Sequence, residues 1–165
     1  MRHCFLLIFS FILSVTPAIA QNTYPKITGY VGIVHPIITF SGGKTTTNFT
    51  NYYVVGMPTG INIWKSPTVG FSMEFVPYIK AENGTSKMNN FLFHPGILVR
   101  LGKGYTFAGR VAFETSGRYG ITPVFNKVVI RGKNCNYYIA LSLPLRSGNN
   151  APSSFTTAFQ FGIAF

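Results

Sequence analysis

The sequence predicts an all-β fold, an eight-stranded antiparallel up-and-down transmembrane β-barrel. Three observations carry that prediction: a terminal stretch that alternates without a slip, a series of strand-length segments separated by turn-rich breaks, and a shortage of charge. In the terminal stretch Phe155, Thr157, Phe159, Phe161, Ile163 and Phe165 fall on one face, and Thr156, Ala158, Gln160, Gly162 and Ala164 on the other. A period of two is the mark of a β-strand, and about eleven residues suit one tilted crossing of a bilayer. Only 10% of the chain is charged, against about 25% in a typical soluble domain. Aromatic residues reach 16%. A chain so poor in charge has little with which to cover a water-facing surface, a poverty that a bilayer tolerates.

Residues 1–20 read as a cleaved secretory signal peptide. Met1-Arg2-His3 is a short basic head, Phe5 to Val15 is an almost unbroken apolar run, and Thr16-Pro17-Ala18-Ile19-Ala20 ends in a small-x-small site. The apolar run is too short for a membrane anchor. Cys4 leaves with the signal, so Cys135 stands alone and no internal disulfide is expected. Residues 21–165 are then expected to form one β-barrel domain, with no later apolar run of about 18 residues that would make a spanning helix.

Taken in order, that domain holds strands near 26–40, 51–64, 69–81, 91–101, 105–116, 122–131, 137–147 and 155–165. The breaks alternate in character. Lys65 to Thr68, Gly102 to Gly104 and Gly132 to Asn136 are short and basic. Ser41 to Thr50, Glu82 to Asn90 and Gly148 to Ser154 are longer and rich in Thr, Asn, Gly and Ser, and Gly117 to Ile121 is the shortest of this second set. Small barrels pair short periplasmic turns with longer outside loops, so the basic breaks belong inside and the polar ones outside. Strands one and six lose phase, at Pro36 and at the adjacent Val128 and Val129. A bulge in each restores it.

The bulky set of the well-phased strands includes Val69, Phe71, Phe75, Phe93, Ile97, Phe107, Phe113, Leu141 and Leu145. The opposite set is small or polar: Gly70, Ser72, Glu74, His94, Gly96, Ala108, Arg110, Ala112, Glu114, Ala140 and Ser142. Eight strands enclose a space that side chains just fill, and rows of Phe and Leu would overfill it. The bulky face is therefore expected outward, towards lipid, where a charge near mid-bilayer costs ~2–4 kcal/mol. Trp64, Tyr105, Tyr137 and Phe165 near one set of strand ends, and Tyr52, Tyr53, Phe91 and Phe155 near the other, read as two interfacial girdles. A soluble secreted β-sandwich is the rival fold.

The ending Phe159-Gln-Phe161-Gly-Ile-Ala-Phe165 resembles the terminal strand of bacterial outer-membrane β-barrel proteins, and residues 26–165 resemble the small eight-stranded members, the OmpX-type proteins and the membrane domain of OmpA. Met57 to Trp64, Phe93 to Arg100 and Ser116 to Asn126 look like strand signatures of barrels from the Bacteroidetes group. The resemblance implies residence in the outer membrane of a Gram-negative bacterium, as a monomer. It also implies an assembly signal at Phe159, Phe161 and Phe165 that the barrel assembly machinery reads.

The chain holds three acidic side chains, Glu74, Glu82 and Glu114, and no aspartate. With His35 and His94 far apart in sequence, no metal-ligand spacing is present, and no cofactor is expected. Some barrels of this class are lipopolysaccharide acyl hydrolases with Ser/His/acid sets, which directs attention to Ser72, Glu74 and His94. If Ala81 faces Phe91, however, His94 lies ~13 Å from Glu74 by the strand rise, beyond the reach of a triad. That register puts Glu74 diagonal to Arg100; with Leu101 opposite Tyr105, Glu114 lies diagonal to His94, and Arg110 is on the same face of the strand that carries Glu114. Glu74, His94, Arg100, Arg110 and Glu114 are accordingly expected to form a polar plug in the lumen, since buried charges are costly unless paired.

A net charge of +11 would suggest nucleic acid in a soluble protein. Export and the scatter of the basic residues argue for no nucleic-acid partner. Lys44, Lys87 and Arg118 in the outside breaks point to outer-membrane lipid and lipopolysaccharide head groups; Lys65, Lys103 and Lys133 fall in the inside turns. The function expected is structural or surface-interacting without catalysis, with an acyl hydrolase or a narrow channel as alternatives.

Overall fold

The computed structural model describes residues 24–165, and the expected signal peptide lies outside the described residues. The elements are β1 (Lys26–Ser41), β2 (Lys44–Thr47), β3 (Tyr53–Gly56), β4 (Thr59–Trp64), β5 (Val69–Glu82), β6 (Thr85–Gly102), β7 (Tyr105–Glu114), β8 (Arg118–Arg131), β9 (Asn136–Ser142), β10 (Leu145–Gly148) and β11 (Ser154–Ala164). All belong to one antiparallel up-and-down sheet, and β11 returns to pair with β1 from Tyr30↔Ala164 to Ser41↔Ser154. Eight strand positions thus close a ring. β3 and β4 share one position, β9 and β10 share another, and β2 folds back on β1 beyond the ring.

The two shared positions are interrupted by Pro58 and Pro144, which lack the amide a ladder needs. The neighbouring strands still engage them: the Gly32 and Thr156 amides donate to the Pro58 and Pro144 carbonyls, at 2.9 Å each. The expected bulges are present. Register shifts between Pro36 and Ile38 in β1, and between Val128 and Ile130 in β8, restore the alternation where the sequence loses it.

The principal difference lies between residues 82 and 90. The expected loop is instead the tip of a long hairpin, with Glu82 opposite Thr85 and a two-residue turn at Asn83 (φ 51°) and Gly84 (φ 75°). Two successive positive φ angles define the type I′ turn, whose twist matches that of the strands it joins. Gly42 and Gly43 do the same between β1 and β2, so the expected 41–50 loop also contains a strand. β8 begins at Arg118, which shortens the break after β7. The start of β1, Phe165 and the short basic turns share the near end of the ring; the hairpin tips lie at the far end.

Side chains separate by parity, as a two-residue period requires. Val69, Phe71, Phe75, Ile97, Val111, Phe113, Leu141, Leu145, Phe159 and Phe161 are all exposed on the outer face. Inside, Val34, Val76, Leu92, Ala112 and Ala158 form one apolar layer, and Trp64, Leu98, Ala108, Val124 and Ala140 a second. On β5, β6 and β7 the polar residues Glu74, His94 and Arg110 lie between them along the strands.

Trp64 corrects an expectation. Its place near a strand end suggested an interfacial girdle, but it points inward and is only 5% exposed. Parity with Asn62 decides its direction, and nearness to the strand end does not override it. Tyr52 likewise lines the interior at the far end.

Candidate functional site

Glu74, His94 and Arg110 come together on β5, β6 and β7. Glu74 is directly opposite His94. His94 Nδ1 lies 2.9 Å from Glu74 Oε1, and Arg110 Nη1 lies 3.3 Å from the same oxygen. The second oxygen, Oε2, accepts from the Tyr30 hydroxyl at 2.8 Å. Arg110 Nη2 also donates to Tyr30 Oη at 3.1 Å and to Ser72 Oγ at 3.3 Å. The carboxylate is thus ringed by one cation, one imidazole and one phenol, which is what a buried charge requires.

This geometry overturns the register assumed from sequence. His94 is opposite Glu74 rather than Tyr78, because the strands continue to the Asn83-Gly84 turn and the register shifts beside Asn89. Arg100 moves accordingly, whereas the β6–β7 register is the expected one, with Glu114 opposite Leu92 and so diagonal to His94; what differs there is the partner. Glu114 receives Arg146 Nε at 2.7 Å, with Asn90 and Ser116 also donating to its carboxylate at 2.7 and 3.0 Å. It is not paired with Arg110 or His94. Arg100 lies at the near-end mouth, exposed, with its guanidinium 3.7 Å from the centre of the Trp64 ring. It caps the tryptophan and makes no contact with Glu74.

Sequence reasoning missed Tyr30, Tyr138, Gln160 and Arg146. Their signal was parity: Arg146 is in phase with Ala140 and Ser142, and Gln160 with Ala158. The tyrosines also explain two glycines. A Cβ on Gly60 would lie 2.7 Å from Tyr30 Cζ, and one on Gly162 would lie 2.8 Å from the Tyr138 hydroxyl. Each ring lies across the neighbouring strand, where only glycine leaves room for it.

The layers divide the interior. A near-end cavity of about 200 Å3 is lined by Asn62, Trp64, Arg110 and Tyr138. A central void of about 20 Å3 lies beside Glu74 and His94. A far-end cavity of about 410 Å3 is lined by Tyr52, Tyr78, Lys80, Arg118 and Arg146. The side chains of Glu74 and His94 are each only 4% exposed, and His94 Nε2 meets no hydrogen-bond partner. Ser72 is held by Tyr30 and Arg110 rather than by His94, so the dyad positions no serine nucleophile.

The expected terminal signal residues lie on the outer surface: Phe159 and Phe161 are 43% and 42% exposed, and Phe165 is 60% exposed. Phe161 stacks on His35, whose Nδ1 is 2.9 Å from Tyr53 Oη. Fold and interior together define a closed antiparallel β-ring with a packed, charge-paired centre. Comparison with known protein families and with curated proteins gives no match for this chain.

Proposed function

We propose that the chain is an integral outer-membrane β-barrel of a Gram-negative bacterium, OmpX-like in architecture, with a structural or surface-interaction role and no catalytic activity. The observation that carries this reading is the outward apolar face, which runs around the ring through Phe71, Ile97, Val111, Phe125, Leu141 and Phe161. In water such a continuous surface is an aggregation liability; in a bilayer it is the covering that a barrel needs. Export by residues 1–20 and docking of the terminal strand on the barrel assembly machinery belong to the same proposal. The central layers favour a closed lumen over a channel, and the enclosed Glu74–His94 pair favours a structural use over hydrolysis.

The mature protein is expected to fractionate with the outer membrane and to migrate faster in gels before boiling than after. Recovery as a soluble periplasmic protein would overturn the reading. Phe165 provides a second test. Its main-chain amide and carbonyl pair with Gly29 at 2.9 and 2.8 Å, while its ring is mostly exposed, so truncation removes little packing. Deleting it is expected to lower the amount inserted in cells far more than the yield of folding into detergent in vitro. Equal losses in both assays would refute a recognition role.

A further inference from the structure

The far-end cavity carries charge that the protein leaves unmatched. Its charged lining comprises Lys80, Arg118, Arg146 and Glu114. Arg146 and Glu114 satisfy each other at 2.7 Å. Lys80 reaches Glu82 at 2.8 Å, but that pair stands at the rim, with side chains 25% and 43% exposed. Exposed pairs of this kind bind weakly, so Lys80 remains free to turn to another anion.

Arg118 is the more telling group. Among the described residues no carboxylate lies within ion-pair distance of it. Its Nη2 donates to the Arg146 and Pro152 carbonyls at 3.1 and 3.0 Å, which fixes the guanidinium, while Nε is buried without a partner. Nε is closed off, so the donors left to an oxyanion are those of Nη1, which makes no hydrogen bond among the described residues, on a guanidinium already anchored through Nη2. Lys80 stands on β5 and Arg118 on β8, so the two cations approach the cavity from different walls of the ring.

The rest of the lining mixes asparagine, threonine and serine side chains with Tyr52, Tyr78 and aliphatic residues such as Ile37 and Val54. Lys80 Nζ sits 4.8 Å from the centre of the Tyr52 ring. At about 410 Å3 the cavity falls within the usual range for small-molecule sites; the near-end cavity, at about 200 Å3, does not. The tyrosine rings provide an apolar surface with a polar tip, suited to a hydroxylated ring that is neither fully apolar nor fully charged.

We propose that the far-end cavity binds a small polyhydroxylated anion, a phosphorylated or carboxylated sugar, with Arg118 and Lys80 holding the acidic group. The site goes beyond the membrane reading, since the cavity and its charges are the same whatever surrounds the outer face. Fractionation and ligand binding can therefore fail separately.

Calorimetric titration of the full folded chain in detergent micelles tests it, with glucose 6-phosphate, glucuronate and glucose as probes. Both acids are expected to bind and glucose is not. Lys80→Gln and Arg118→Gln are each expected to weaken glucose 6-phosphate binding by about tenfold, the scale of one charge-assisted hydrogen bond. Lys44→Gln, on the β1–β2 hairpin, should leave it unchanged. If Arg118→Gln fails to fold, Lys80→Gln still decides the matter. A phosphorylated glycolipid added to the micelles separates the two sources of the ligand: displacement of the free sugar phosphate identifies a lipid head group, and its retention identifies a soluble ligand. Either result supports the site. Glucose binding as tightly as its phosphate, Lys80→Gln binding like the wild type, or neither acid binding at millimolar concentration would overturn it.

Discussion

Glu74→Leu is expected to destabilise the folded protein by about 3–5 kcal/mol, the cost of leaving one member of a buried ion pair alone. The carboxylate serves three partners: Arg110, His94 and Tyr30. Removing it leaves the Arg110 guanidinium, 7% exposed, with only hydroxyl groups to meet its charge. The penalty belongs to the orphaned cation more than to the lost contact. The double variant Glu74→Leu/Arg110→Met is therefore expected to recover most of the loss, because matched apolar groups often replace a buried pair at little cost. Urea unfolding from lipid vesicles measures both, with the chain's single tryptophan, Trp64, as the reporter inside the ring. A double variant as unstable as the single one would mean that packing, rather than charge pairing, holds this layer.

Glu114→Gln should also be costly, through Arg146. That arginine spends Nε on Glu114 at 2.7 Å and Nη1 on Thr122, Ile121 and Leu145. It therefore cannot turn away to find another anion without breaking those bonds. Glutamine keeps the volume and some hydrogen bonding but removes the charge. The expected loss is about 2–4 kcal/mol, somewhat below that for Glu74 because Glu114 is 12% exposed and water can partly compensate. Phe113→Leu is the paired control. Phe113 is 51% exposed on the outer face and stacks on Phe93 at 6.4 Å. On the proposed membrane reading leucine stays apolar in lipid, so the loss should be about 1 kcal/mol, the worth of an aromatic pair. If Phe113→Leu proves the more damaging, the faces of β7 are inverted.

The sequence by itself determined the eight strand positions of the ring and, in the well-phased strands, which face each residue takes, although it placed loops where Lys44–Thr47 and the start of β6 form strand. Parity is local: a two-residue period in Phe155 to Phe165, or in Val69 to Ile79, is complete within the segment that carries it. The bulges near Pro36 and Val128 were legible for the same reason, because a lapse of alternation is also a local signal. Trp64 and Arg146 obey the parity of their neighbours, so their interior placement carries the same local signal.

Which inward residues meet was decided only by the tertiary structure. Partners depend on register, and register depends on where the hairpin turns and whether a bulge intervenes. A slip by an even number of residues keeps every side chain on its face and changes every partner. The β5–β6 pair differs from expectation in this way: Glu74 meets His94 because the strands continue to Asn83-Gly84 and the register shifts near Asn89. The Asn-Gly dipeptide is a strong hairpin signal in itself, but the bulge is not written in the alternation of so polar a segment. The far-end cavity has the same origin. Lys80 and Arg118 are far apart in sequence and carry no shared motif, and only closure of β11 on β1 brings their strands round to enclose a common space.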